Sequence, residues 1–221
     1  MSTIDVTELD PDTRGWRRYL PPTPWFAAIA IVASVALGVL GGLADRLPWW
    51  ISWVGNLAAL WLFAAFIAGA AGRGAWAGLV RGVVALWATV AVYYLLQSGV
   101  ADRPDTGRVL AVGSAWLVIA VPAGALFGYL GALWRRGRTD FTAGAVGVLS
   151  AALAGEGIYA IMAVWAWGIG LTLLLGIEIL LAAWLPLVLL QSWRRRGIAY
   201  GIAVAGLVGA IAGPLLTGMW A

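Results

Sequence analysis

An all-α polytopic transmembrane bundle is the fold this sequence predicts, and three observations predict it. Hydrophobic residues make up 62% of the 221 and charged residues 11%, against about 25% charged in soluble domains; mean hydropathy is +0.91. The apolar residues fall in runs close to the roughly 20 needed to cross a hydrocarbon core. All fourteen basic residues are arginines, and they cluster between those runs. A globule of this size cannot hide so much apolar surface, so lipid must solvate much of it.

Residues 1–24 are first acidic (Asp5, Glu8, Asp10, Asp12), then basic (Arg14, Arg17, Arg18), then broken by Pro21, Pro22 and Pro24. They read as a flexible cytoplasmic tail ahead of one membrane domain, 25–221. The tail is too long and too acidic for the start of a cleaved signal peptide. Seven apolar segments follow, at about 25–44, 56–72, 82–98, 109–134, 141–163, 169–191 and 198–220. Pro48 to Gly55 (PWWISWVG) reads as an interfacial aromatic stretch leading into the second. If the chain around 47–72 does not cross, the spans are six. Pro122 and Pro214 each remove a backbone hydrogen bond and predict bends.

Orientation follows from the arginines. With the N-terminus inside, Arg14, Arg17, Arg18, Arg73, Arg81, Arg135, Arg136, Arg138, Arg194, Arg195 and Arg196 face the cytoplasm, against Arg46, Arg103 and Arg108 outside. Positive charge is retained inside, so the N-terminus is cytoplasmic and seven spans place the C-terminus outside, at the plasma membrane. The net charge of +4 therefore reflects topology. No basic stripe interleaved with aromatics suggests nucleic acid as a partner.

His, Cys and Lys are absent. Disulfides, thiol nucleophiles, the usual zinc sites, His-based triads, a Schiff-base lysine and a P-loop are thereby excluded. No metal, cofactor or enzymatic activity is expected.

Close helix packing in lipid needs small residues four apart. The first helix carries Ala30, Ser34, Gly38 and Gly42; the fourth, Gly124, Gly128 and Ala132; the fifth, Ala143, Gly147, Ala151 and Gly155; the seventh, Gly201, Ala205, Gly209 and Gly213. These faces suit packing within the bundle, a homodimer seam or a partner subunit. Ala77-Gly78 with Gly82, and Ala143-Gly144 with Gly147, suggest a repeated two-helix unit, unless chance in an apolar sequence produced the likeness.

Two acidic residues lie well inside spans, Glu156 and Glu178. A carboxylate in hydrocarbon is costly, which makes each a functional candidate. Each is 11 residues from Trp167 at the turn of the fifth–sixth hairpin, hence roughly 10–16 Å deep at 1.5 Å per residue. Antiparallel neighbours bring them to one depth, where they would share a proton or bind a cation. The alternative is a protonated Glu acting as glue between helices. Tyr159 shares the face of Glu156 at i+3. Asn56, Tyr93, Gln97 and Trp165 also fall toward the outer half, Tyr93 and Gln97 on one face. With fifteen tryptophans, these residues outline an aromatic, carboxylate-floored cavity for a small molecule or cation, or simply an interfacial belt.

Asn56 with Trp61 and the run AAFIAGAAGR, the stretch PAGALFGYLGALWRR (122–136) and AGEGIY (154–159) resemble a family of small multipass membrane proteins, found mainly in actinobacteria and classed as a domain of unknown function. The resemblance covers about residues 30–190 and implies a fold without assigning catalytic residues. In architecture the chain is also similar to the substrate-binding subunits of energy-coupling-factor transporters, in which a small-residue face of the first helix meets a partner. That likeness implies such a role for Ala30, Ser34, Gly38 and Gly42. Two functions follow as expectations: binding or transport of a small molecule or cation from outside, or a non-catalytic membrane subunit packing through its small-residue faces.

Overall fold

A computed structural model describes residues 24–47, 57–99, 106–137, 140–164 and 169–217, and the side chains of these except 24, 159–175 and 210–217. Among the described residues the chain is all-helical: α1 (Pro24–Ala44), α2 (Ala58–Ala70), α3 (Ala75–Ser98), α4 (Thr106–Arg136), α5 (Asp140–Val164), α6 (Ile169–Leu189) and α7 (Trp193–Thr217). Among the described residues four stretches are long and apolar enough to cross a membrane: Trp25–Ala44, Ala75–Ser98, Thr106–Arg136 and Asp140–Ile158. Ala58–Ala70 and Gly176–Leu189 are apolar but shorter. The protein is thus built as a helical membrane protein.

Two helices begin earlier than hydropathy predicts. α3 starts at Ala75 instead of 82, and α7 at Trp193 instead of 198. Arginine depresses hydropathy but is a good helix former, and Arg81 lies in the second turn of α3 and Arg194–Arg196 in the first turn of α7. α4 runs through Pro122, and α6 through Pro186, a proline the sequence analysis passed over. Pro214 falls where side chains are not described.

Hydrogen bonds fix the up-and-down order. Arg81 at the start of α3 and Arg135 at the end of α4 both donate to carbonyls at the end of α2, Ala71 and Ala70 respectively, the latter at 2.9 Å. Trp134 near the end of α4 donates to Leu189 O at the end of α6 (3.4 Å). Arg195 and Arg194 at the start of α7 reach Gly137 O after α4 (3.4 Å) and Asp140 at the start of α5 (2.8 Å). At the opposite end, Tyr93 and Gln97 of α3 donate to Asp45 Oδ2 just after α1. The starts of α1, α3, α5 and α7 therefore share one end of the bundle. Four aromatic residues stand there, one at the start of each helix: Trp25, Trp76, Phe141 and Trp193, all at least 73% exposed. Exposed aromatics at one level are what an interface with lipid headgroups selects.

α3 packs against α1, α2 and α4; α5 packs against α4, α6 and α7; α2 touches α1, α3, α4 and α5. Glycines set the tightest contacts. A methyl on Gly131 of α4 would fall on the Phe66 carbonyl oxygen and 2.8 Å from Ala70 N, both backbone atoms of α2. Gly124 and Gly128 of α4 face Gly82 and Gly78 of α3. Gly147 of α5 faces Ala199 of α7. On α1, Gly38 faces Thr89 of α3, and Ser34 is fully buried, its carbonyl accepting from Thr89 Oγ1 at 2.9 Å. The small-residue face of α1 is therefore taken up by α3, which corrects its expected use as a partner contact. The small-residue face of α7 is turned away from its neighbours. A methyl on Gly201 or Gly209 would meet nothing within 4 Å among the described residues, and α7 instead meets α5 through Ala199, Ile202 and Gly206. A stripe rotated by a residue or two is equally rich in small side chains, so spacing alone did not choose between them.

Candidate functional site: a short helix held at both ends

α2 is 13 residues long, about 20 Å at 1.5 Å per residue, against a hydrocarbon core of about 30 Å. Its sequence, AALWLFAAFIAGA, holds no charge. Leu57 at its N-cap offers no side-chain hydrogen bond. The amides of the first turn therefore need a partner from elsewhere, and Glu156 of α5 supplies it. Glu156 Oε1 accepts from Ala58 N at 2.8 Å, and Oε2 accepts from Ala59 N. Glu156 stands 16 residues from Asp140 along α5, about 24 Å at the helical rise. At its other end α2 exposes carbonyls, and Arg81 and Arg135 bind those of Ala71 and Ala70. A carboxylate thus sits on the positive end of the helix dipole and two guanidinium groups on its negative end. All three come from other helices. Arg196 closes α6 in the same way, donating to Leu190 O (2.8 Å) and Leu187 O (3.0 Å).

Glu178 of α6 is different. It is 2% exposed, and neither carboxyl oxygen has a hydrogen-bond partner among the described residues. It lies within electrostatic reach of Glu156, as equal depth on the hairpin requires. The two do not share a hydrogen bond, because Glu156 is turned onto α2. Thr142 Oγ1 and Ser150 Oγ of α5 are likewise buried without a partner.

Tyr93 and Gln97 do share a face, and what gathers them is Asp45, a residue the sequence analysis did not single out. The Tyr93 ring packs 5.2 Å from that of Trp61 on α2 and 4.9 Å from that of Tyr94. This cluster ties the ends of α1 and α3 together. Asn56 and Trp165 lie outside the described residues, as does the side chain of Tyr159; Trp49, Trp50, Trp53 and Trp167 do too.

Two clefts are apolar. One of about 280 Å³ lies between α1 and α2, lined by Ala30, Ala33, Leu37, Leu60, Phe63, Ala64 and Ile67. One of about 150 Å³ lies between α2, α3 and α4, with Ala58, Trp61, Val90 and Trp116 among its walls. Neither carboxyl group lines either cleft. Among the described residues no three His, Cys, Asp or Glu side chains group as a metal site would require.

An all-helical bundle, apolar enough to sit in a membrane and with a short helix capped from outside itself, is the class of protein these features define. The chain belongs to a family of unknown function, DUF6518, whose family model matches residues 18–218. The match includes α7, beyond the part of the chain on which the sequence resemblance rested. No curated protein and no solved structure matches it.

Proposed function

We propose that the protein is a multi-pass protein of the plasma membrane that binds or transports a small molecule or cation through the half of the bundle holding Glu156 and Glu178. One observation carries this reading: within electrostatic reach of Glu156, the residue that caps α2, a second carboxyl group, Glu178, is buried with no hydrogen-bond partner among the described residues. Transporters place substrate and ions at helix ends that lie within the membrane. No chemical transformation is assigned.

The N-terminus is cytoplasmic and the chain crosses seven times, the second crossing made by α2 together with the segment that precedes it. Arg73, Arg81, Arg135, Arg136, Arg194, Arg195 and Arg196 stand at the end where α1, α3, α5 and α7 begin, and Arg46 and Arg108 at the other. The positive-inside rule makes the first end cytoplasmic. A reporter fluorescent only in the cytoplasm is expected to glow when fused after residue 137 and to stay dark after residue 221; light from both fusions would favour six crossings.

The binding reading is tested by thermal shift of the purified chain against inorganic and organic cations. A ligand present at about 100 times its Kd is expected to stabilise by about 2.7 kcal/mol, and Glu178→Gln is expected to remove the effect. Stabilisation unchanged in that variant would place the site elsewhere.

A second reading, a non-catalytic subunit or scaffold, is favoured by the outward face of α7. Gly201, Val204, Ala205, Val208 and Gly209 are all exposed there, a surface fit for a partner helix or a second copy.

A further inference from the structure

The two membrane carboxyl groups are chemically inequivalent. Glu156 has a backbone amide on each oxygen at the positive end of α2, an arrangement that stabilises negative charge. Glu178 has no donor on either oxygen among the described residues, and an ionised carboxylate in such surroundings lacks anything to replace its hydration. Among the described residues, the groups that face α6 from the helices packed on it supply no counter-charge. From α5 comes Glu156 itself. From α7 come Tyr200, whose hydroxyl donates to Ala183 O at 2.6 Å, and Arg196, which binds Leu187 O and Leu190 O at the far end of the helix.

The same geometry selects among cations. Hard metal ions take about six or more oxygen ligands, and the described residues gather no such set. A cation drawn to Glu156 would also meet the positive end of α2. A proton needs a single oxygen and turns Glu178 into a neutral group that can stay buried.

Resting on the binding reading above, we infer that the ion this site takes is a proton carried on Glu178, while Glu156 stays ionised as the cap of α2. Loss of that proton would set two negative charges within electrostatic reach of each other in a low-dielectric region. The bond between Glu156 and α2 is then coupled to the charge on Glu178, and the start of α2 is the element that responds.

An apolar carbodiimide tests this assignment. It adds the O–H of a carboxylic acid across one C=N bond and rearranges to a stable N-acylurea; an ionised carboxylate does not react. The full chain in detergent is treated with dicyclohexylcarbodiimide at mildly acidic and mildly alkaline pH, and labelled peptides are identified by mass spectrometry. Glu178 is expected to be labelled in preference to Glu156 by roughly tenfold or more, the ratio that one unit of difference in proton affinity gives. Labelling is expected to weaken at the alkaline pH and to be indifferent to sodium or tetramethylammonium. Preferential labelling of Glu156 would overturn the assignment. So would protection of Glu178 by sodium, or absence of label at Glu178 in folded protein when the SDS-unfolded chain is labelled. Labelling intact with no ligand found by thermal shift would remove the solute and leave the proton site. Ligand binding intact with no labelling would remove the proton site alone.

Discussion

Replacing Glu156 by alanine is expected to destabilise the bundle by about 3 kcal/mol or more, whereas replacing Glu178 by leucine is expected to be neutral or to stabilise by about 1 kcal/mol. The opposite signs follow from the partners. Glu156→Ala leaves Ala58 N and Ala59 N without acceptors, each costing about 1–3 kcal/mol in a buried place, and removes a charge–dipole attraction of up to about 2 kcal/mol. Glu156→Gln keeps one acceptor oxygen and should lose about half as much. Glu178 has no described bond to lose, so an apolar side chain of similar size removes only an unsatisfied group. Loss of helix content on titration with SDS measures both. Equal losses for Glu156→Ala and Glu178→Leu would contradict the division of roles.

Gly131→Ala is expected to cost about 3 kcal/mol, the upper part of the range for overpacking. The methyl would meet Phe66 O and Ala70 N. Neither is the end of a side chain that can rotate away, so α2 and α4 must separate. Separation also stretches the Arg135 bond to Ala70 O. Gly201→Ala and Gly209→Ala are the matched controls. The added methyl would meet nothing within 4 Å among the described residues at either position, and alanine in place of glycine in a helix gains up to about 1 kcal/mol. The same titration reads all three. A Gly131 variant as stable as the Gly201 variant would show that α2 and α4 do not meet as described.

The helices were legible because run length and arginine placement both follow from the cost of putting polar groups in lipid. Their starts at α3 and α7 were not, because Arg81 and Arg194–Arg196 join the helices and use their guanidinium groups on backbone carbonyls or on Asp140. The common depth of Glu156 and Glu178 came from counting residues to the hairpin. The partner of Glu156 was hidden, since it is the backbone of Ala58 and Ala59, and apolar residues give no sign that their amides are open. Leu57, a poor cap before a helix with no charge of its own, was the available hint. Asp45 falls just beyond the first apolar run and carries no signal of its own in the sequence. Two donors on one face of α3, Tyr93 and Gln97, called for an acceptor at the end of a neighbouring helix, and Asp45 is the acidic residue there. The cavity outlined by seven residues stays a proposal. Tyr93 and Gln97 go to Asp45, Glu156 goes to α2, and Asn56, Tyr159 and Trp165 lie where the site is not described.

The central claim is that Glu156 holds the start of α2 inside the bundle. Amide hydrogen exchange at Ala58 and Ala59, compared with Ala68 and Ala70 at the other end of α2, tests it most directly. In the native chain all four amides are expected to exchange slowly. In the Glu156→Ala variant Ala58 and Ala59 are expected to lose protection, while Ala68 and Ala70, held by the helix and by Arg81 and Arg135 beyond it, keep theirs. Fast exchange at Ala58 and Ala59 in the native chain, or protection there unchanged by Glu156→Ala, would contradict it.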